Sequence, residues 1–135
     1  MRRHKDLQPW LDYFEMLRTY EEKGFLEVNT EKHEVFVTQP AMYTLAGCTW
    51  DAHEQGISID VPHFLKSVCY LVRRLRVYAA WKSQEGPSYE DRPFALNVVK
   101  PDMPHDLMHT IVLTTRRRWW KLWMKHDSYE VVNYN

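Results

Sequence analysis

Residues 60–86, DVPHFLKSVCYLVRRLRVYAAWKSQEG, read as the longest helix of the chain, and the rest of the fold is organised around them. Asp60 is the candidate N-cap, because its short side-chain oxygen accepts from the free N–H groups of a first turn. Pro62 falls in that turn, where a missing N–H is harmless. Gly86 followed by Pro87 stops the helix. Between these signals Val61, Phe64, Leu65, Val68, Leu71, Val72, Leu75, Tyr78 and Ala79 recur at three- and four-residue steps. At about 100° per residue they form one broad apolar stripe. His63, Lys66, Tyr70, Arg73, Arg74, Val77 and Trp81 take the other face and mix cations with aromatics. One face is expected in the core and the other against a second surface.

Upstream, residues 1–5 read as a flexible basic tail. A first helix is expected over residues 7–23, capped by Asp6, with Pro9 in its first turn and Gly24 at its end. Trp10, Leu11, Phe14, Leu17 and Arg18 with Tyr20 give the helical spacing, with Asp12, Glu15, Thr19 and Glu22 outward. Residues 25–38 then read as a β-hairpin. Phe25, Leu26 and Val28 on one side and Val35, Phe36 and Val37 on the other flank a polar turn at residues 29–33.

This helix, Gly24 and the following hairpin resemble the recognition helix and wing of winged-helix DNA-binding proteins. The resemblance rests on residues 14–17, 22–28 and 35–38, within a helix and hairpin (residues 7–38) that make up about a quarter of the chain, and implies a nucleic-acid partner. The stretch departs from that family in two ways. Six residues leave no room for the two helices that should precede a recognition helix. Asp12, Glu15, Glu21 and Glu22 would also repel phosphates.

Residues 39–47 read as a short helical or irregular segment opened by Pro40. Residues 48–59 and 85–92 read as loops. The last third reads as β. Residues 94–100 alternate as a strand with one buried face, residues 101–104 break it, and residues 107–115 form a second strand. Through residues 114–125 the apolar phase slips near 115–118, which calls for a bulge in a bent strand. That strand is expected to pair with residues 129–134 across a turn at His126, Asp127 and Ser128. The fold class is α+β: two main helices packed on an antiparallel sheet, with an additional β-hairpin after the first helix. Residues 1–135 read as a single domain.

With 18 basic and 18 acidic residues the formal charge is zero, so any affinity for nucleic acid or membrane must come from a local patch. Six tryptophans and eight tyrosines call for a heavily aromatic core or exposed anchors for a partner. No apolar run reaches the ~20 residues of a membrane span. Cys48 and Cys69 form no C-x-x-C, and a buried free thiol at Cys69 in a reducing cytoplasm is expected.

Residues 116–125, RRRWWKLWMK, hold five cations, no acid and three tryptophans. As a strand they bury alternate tryptophans while arginine stems cover an edge. The same residues suit a protein interface, stacking and phosphate pairing on a single-stranded nucleic acid, or a membrane surface. His105 and His109, with Asp102 and Asp106, are metal-ligand types. On a strand, however, those histidines lie ~13 Å apart, from ~3.3 Å per residue, too far for one ion. Cys48 near His53 marks no orienting partner for a nucleophile. The expectation is therefore no catalytic residue, no metal and no cofactor.

The leading expectation is a non-enzymatic, self-associating interaction module. Its candidate partner-binding residues are Tyr70, Arg73, Arg74, Val77, Trp81, Arg116, Arg117, Arg118, Trp119 and Trp123. The alternative is a nucleic-acid-binding protein, using the winged-helix-like segment or the arginine–tryptophan stretch.

Overall fold

In a computed structural model that describes residues 4–47, 61–100, 107–118 and 121–133, the first helix, α1, spans His4–Glu22. It starts before the expected position, so Pro9 lies inside it rather than in its first turn. Gly24, at φ +81°, ends it. The Gly24 N–H donates to the Glu21 carbonyl at 3.1 Å, and the Phe25 N–H donates to the Tyr20 carbonyl at 3.0 Å. That paired pattern closes a helix only when the residue after the cap is left-handed, which glycine adopts without strain. The Tyr20 and Phe25 rings meet edge to face at 6.3 Å and seal the exit.

Strands β1 (Leu26–Asn29) and β2 (Glu34–Thr38) follow as an antiparallel hairpin. Their turn is more than a polar loop. His33 takes φ +54° and is buried, with its ring stacked on Tyr89 at 4.0 Å. The Tyr89 hydroxyl donates to the Thr30 carbonyl at 2.8 Å. Burial, with the Glu85 charge adding to it, pushes the Tyr89 phenol up to about 12.

Helix α2 (Gln39–Leu45) starts at the end of β2, with Pro40 in its first turn. Helix α3 (Val61–Ser83) follows, then a 3₁₀ turn (Gly86–Asp91) and strand β3 (Phe94–Val99). The Asp60 cap expected for α3 lies outside the described residues. Because helices join β2 to β3, the chain returns to the same end of the sheet, and the two strands pair in parallel. The sheet is therefore mostly antiparallel, with one parallel pair at its centre. The hairpin is also no free-standing wing, since β2 is an inner strand.

Strands β4 (Leu107–Arg118) and β5 (Lys121–Asn133) complete a five-stranded sheet in the order β1-β2-β3-β4-β5. The expected turn at His126, Asp127 and Ser128 is not there. Residues 126, 127 and 128 are ladder positions opposite Arg116, Thr115 and Thr114, and the reversal falls between Arg118 and Lys121. Pairing of residues 125–133 of β5 along β4 satisfies far more backbone groups than a short return strand would. The expected irregularity does occur, as a register shift between Arg117 and Arg118.

Register decides which residues share a face. Leu26, Val35, Val37, Phe94, Leu96, Val98, Ile111 and Leu113 lie at facing positions and all join the core. Phe14 and Leu17 of α1, Met42 of α2, and Leu71, Val72, Leu75 and Tyr78 of α3 join the same cluster. Truncating a fully buried leucine such as Leu71 to Ala would cost about 3 kcal/mol in lost transfer energy and cavity. On the alternate positions Asn97 is buried too, so β3 is covered on both faces rather than one. There Thr110 Oγ1 donates to Asn97 Oδ1 at 2.7 Å.

Candidate interaction surfaces

Two surfaces carry the candidate residues. The first is the seam between α1 and α3. Phe14 of α1 sits 5.0 Å from the Trp81 ring, 5.3 Å from Tyr78 and 5.8 Å from Trp10. Tyr78 is fully buried, but Trp81 remains 53% exposed and Trp10 39% exposed. Two indoles thus flank one buried phenyl ring and both open to solvent. Below them Glu21 accepts from the Tyr78 hydroxyl and from Lys82 Nζ at 2.7 Å. Burial and the Glu21 carboxylate push the Tyr78 phenol well up.

Helix α1 covers part of the second face of α3. The Arg74 guanidinium lies 5.4 Å over the Tyr13 ring, and Val77 packs on the core. A cation over an aromatic face is attractive and fixes the crossing of the two helices. Trp10 and Leu11, expected inside, are exposed instead. The helical period marks them as apolar, but the buried arc of α1 centres on Phe14 and Leu17. Their positions at its edge were not readable from spacing alone.

The second surface is the base of the β4–β5 hairpin, where α3 crosses it. Arg73 Nε donates to Asp127 Oδ2 at 2.8 Å, and the pair also meets through a second guanidinium nitrogen at 2.7 Å. Arg76 Nη1 donates to Thr115 Oγ1 at 2.6 Å, and that hydroxyl donates to Asp127 Oδ1 at 2.6 Å. Burial pushes the Asp127 carboxyl up. The hydrogen bonds from Thr115 and Arg73, with the charges of Arg73 and Arg76, outweigh it and hold the group below its ordinary range. Asp127 and Thr115 were not readable as partners, because they lie 54 and 39 residues from the arginines they meet.

Tyr70 is exposed on α3. Arg116 is exposed on β4 and makes no ion pair among the described residues. Arg117, Arg118 and Trp123 are described as strand positions. Trp119 lies outside the described residues, as do Cys48, His53, Asp102, His105 and Asp106.

Cys69 is a free, half-buried thiol, and burial pushes its pKa up, which disfavours the reactive thiolate. His109 is a half-buried strand residue, and burial holds its pKa below the ordinary value. Among the described residues no three His, Cys, Asp or Glu side chains group as metal ligands. No described helix is long and apolar enough to cross a membrane.

Comparison with protein-family models, with curated proteins and with solved structures finds no match to this chain.

Proposed function

We propose that the protein is a non-enzymatic interaction module that self-associates through the α1–α3 seam. The observation that supports this reading is the pair of open indoles, Trp81 and Trp10, on either side of Phe14. Large aromatic side chains left in water at one place are the residue type that dominates interface centres. Tyr70 extends the same helix face, Arg74 and Val77 support it from beneath, and Arg73 lies on the β4–β5 side of α3, held by Asp127. A cytoplasmic location belongs to this reading, with the free thiol of Cys69 in its favour.

Sedimentation velocity at tens of micromolar tests it. The wild type is expected to run as a dimer and Trp81→Ala as a monomer with unchanged circular dichroism. A wild-type chain that stays monomeric under those conditions sinks the reading. The alternative reading is a nucleic-acid-binding protein, and the run of basic residues at 116–118 on β4 is the feature in its favour.

A further inference from the structure

Strand order leaves the five-stranded sheet with two outer edges, and they differ. An outer strand keeps a row of N–H and C=O groups that no ladder uses, and proteins blunt such rows with short strands, proline, lysine or a covering helix. β1 is four residues long, and α1 packs beside it. β5 is thirteen residues long and contains no proline, and its two lysines, Lys121 and Lys125, precede the stretch 127–132. One side of that stretch is taken up by β4, from Thr115 opposite Asp127 to Thr110 opposite Val132.

The side chains of this stretch stand open at the edge. Consecutive strand residues alternate between faces. Asp127, Tyr129 and Val131 fall on the helix side, where Asp127 is held by Arg73 of α3 and Tyr129 packs on the core. Val131 ends the row that runs in register through Val35, Leu96 and Ile111. Ile111 is 4% exposed and Val131 51%, so the helix layer stops between them. On the other side Ser128 and Glu130 are exposed, and Glu130 makes no ion pair among the described residues.

These features specify what a sixth strand must carry. Directly opposed residues share a face of the sheet. Residues set beside Tyr129 and Val131 must be apolar to extend the core row, and the residue beside Glu130 must be a cation. A second copy of β5 does not meet that demand. Along the paired residues 125–133 the positions in phase with Glu130 are His126, Ser128 and Val132, with no lysine or arginine among them. An extended segment that alternates apolar and basic residues does meet it.

We propose that the outer edge of β5, at residues 127–132, takes an extended segment of a different protein as a sixth strand, with apolar residues against Tyr129 and Val131 and a lysine or arginine opposite Glu130. Main-chain hydrogen bonds supply the attraction, and the alternating side chains select the segment. This edge is the one away from α1, so the binding goes beyond self-association at the α1–α3 seam and does not depend on it.

The test is a titration of the isotope-labelled full chain with the end-blocked heptapeptide TVKVKVT, followed by backbone amide chemical shifts up to about 1 mM peptide. The probe reads the same in both directions, so strand polarity does not enter. Its acidic counterpart TVEVEVT and the scrambled VVVTKKT are the comparisons. The amides of residues 127–132 are expected to shift with TVKVKVT, at an affinity at least about tenfold above that for either comparison peptide. Glu130→Lys should invert the preference between the basic and acidic probes. Trp81→Ala, which tests self-association, should bind TVKVKVT as wild type does. Should Glu130→Lys fail to fold, the three peptides on wild type decide by themselves. No shifts at residues 127–132, equal binding of a comparison peptide, an unchanged preference in Glu130→Lys or lost binding in Trp81→Ala each overturns the proposal. Shifts at the same residues on dilution of the protein alone also overturn it, by giving the edge to a second copy.

Discussion

Arg76 and Asp127 communicate through one hydroxyl: Thr115 Oγ1 accepts from Arg76 at 2.6 Å and donates to Asp127 at 2.6 Å. Arg76 is only 5% exposed. A guanidinium at that depth needs a compensating charge, and the relay brings the carboxylate to it. The chain Arg73–Asp127–Thr115–Arg76 ties α3 to the last two strands.

Thr115→Val keeps the side-chain shape and deletes the relay. It leaves a buried N–H of Arg76 without its acceptor, so the expected loss is about 2–3 kcal/mol. Thr115→Ser, which retains the hydroxyl, should lose less than half of that. Urea denaturation of the two variants beside wild type makes the comparison.

Asp127 titrates below its ordinary 3.8 in the folded chain. Its contribution is complete above that value. As the pH falls further, the unfolded chain takes up the proton first, and the contribution is lost as the pH passes the folded value. Asp127→Asn should therefore be less stable than wild type at neutral pH and show a flatter acid limb below about pH 4. Thermal melts across that range read both effects.

His109 has the same sign for a different cause. Burial holds it below 6.5, so the folded chain resists protonation. Its contribution is full above that value and declines as the pH falls from there toward the folded value, because the unfolded chain protonates first. His109→Gln should remove that slope. Urea midpoints at about pH 7.5 and about pH 5.5 should converge in the variant and differ in wild type.

Asn97 and Thr110 are both buried and hydrogen-bonded across β3 and β4 at 2.7 Å. Asn97→Val or Thr110→Val alone strands a polar partner and should cost about 1–3 kcal/mol, whereas the double variant should lie close to wild type. A double-mutant cycle in urea measures the coupling. Strict additivity of the two single losses would show that the bond contributes nothing.

Gly24 has no atom within 4 Å of the position a Cβ would take, so its substitution tests backbone strain alone. With φ at +81°, Gly24→Ala should cost about 1 kcal/mol through the left-handed conformation. Gly24→Asn, which tolerates that region, should cost less. Differential scanning calorimetry resolves the order.

The features readable in the residues were those with a local cause. The apolar period of residues 68–79 gives the buried stripe of α3, Gly24 gives the end of α1, and alternation in residues 94–98 and 107–113 gives two strands. Tyr70, Arg73 and Trp81 were legible as an outward face because helical geometry alone separates them from Leu71 and Leu75. Partner choice has no local cause. Whether β2 pairs with β3 in parallel, whether β5 runs through Asp127, and which cation Asp127 meets depend on contacts tens of residues apart. Local sequence carries no term for those contacts. The same holds for His33, a plain turn residue in the sequence, which tertiary packing turns into a buried ring stacked on Tyr89. Trp10 and Trp81 show the division most clearly. Composition revealed a surplus of tryptophan, but only the crossing of α1 over α3 decided which rings are sealed and which face water, because exposure depends on the neighbouring helix as well as on the residue's own period.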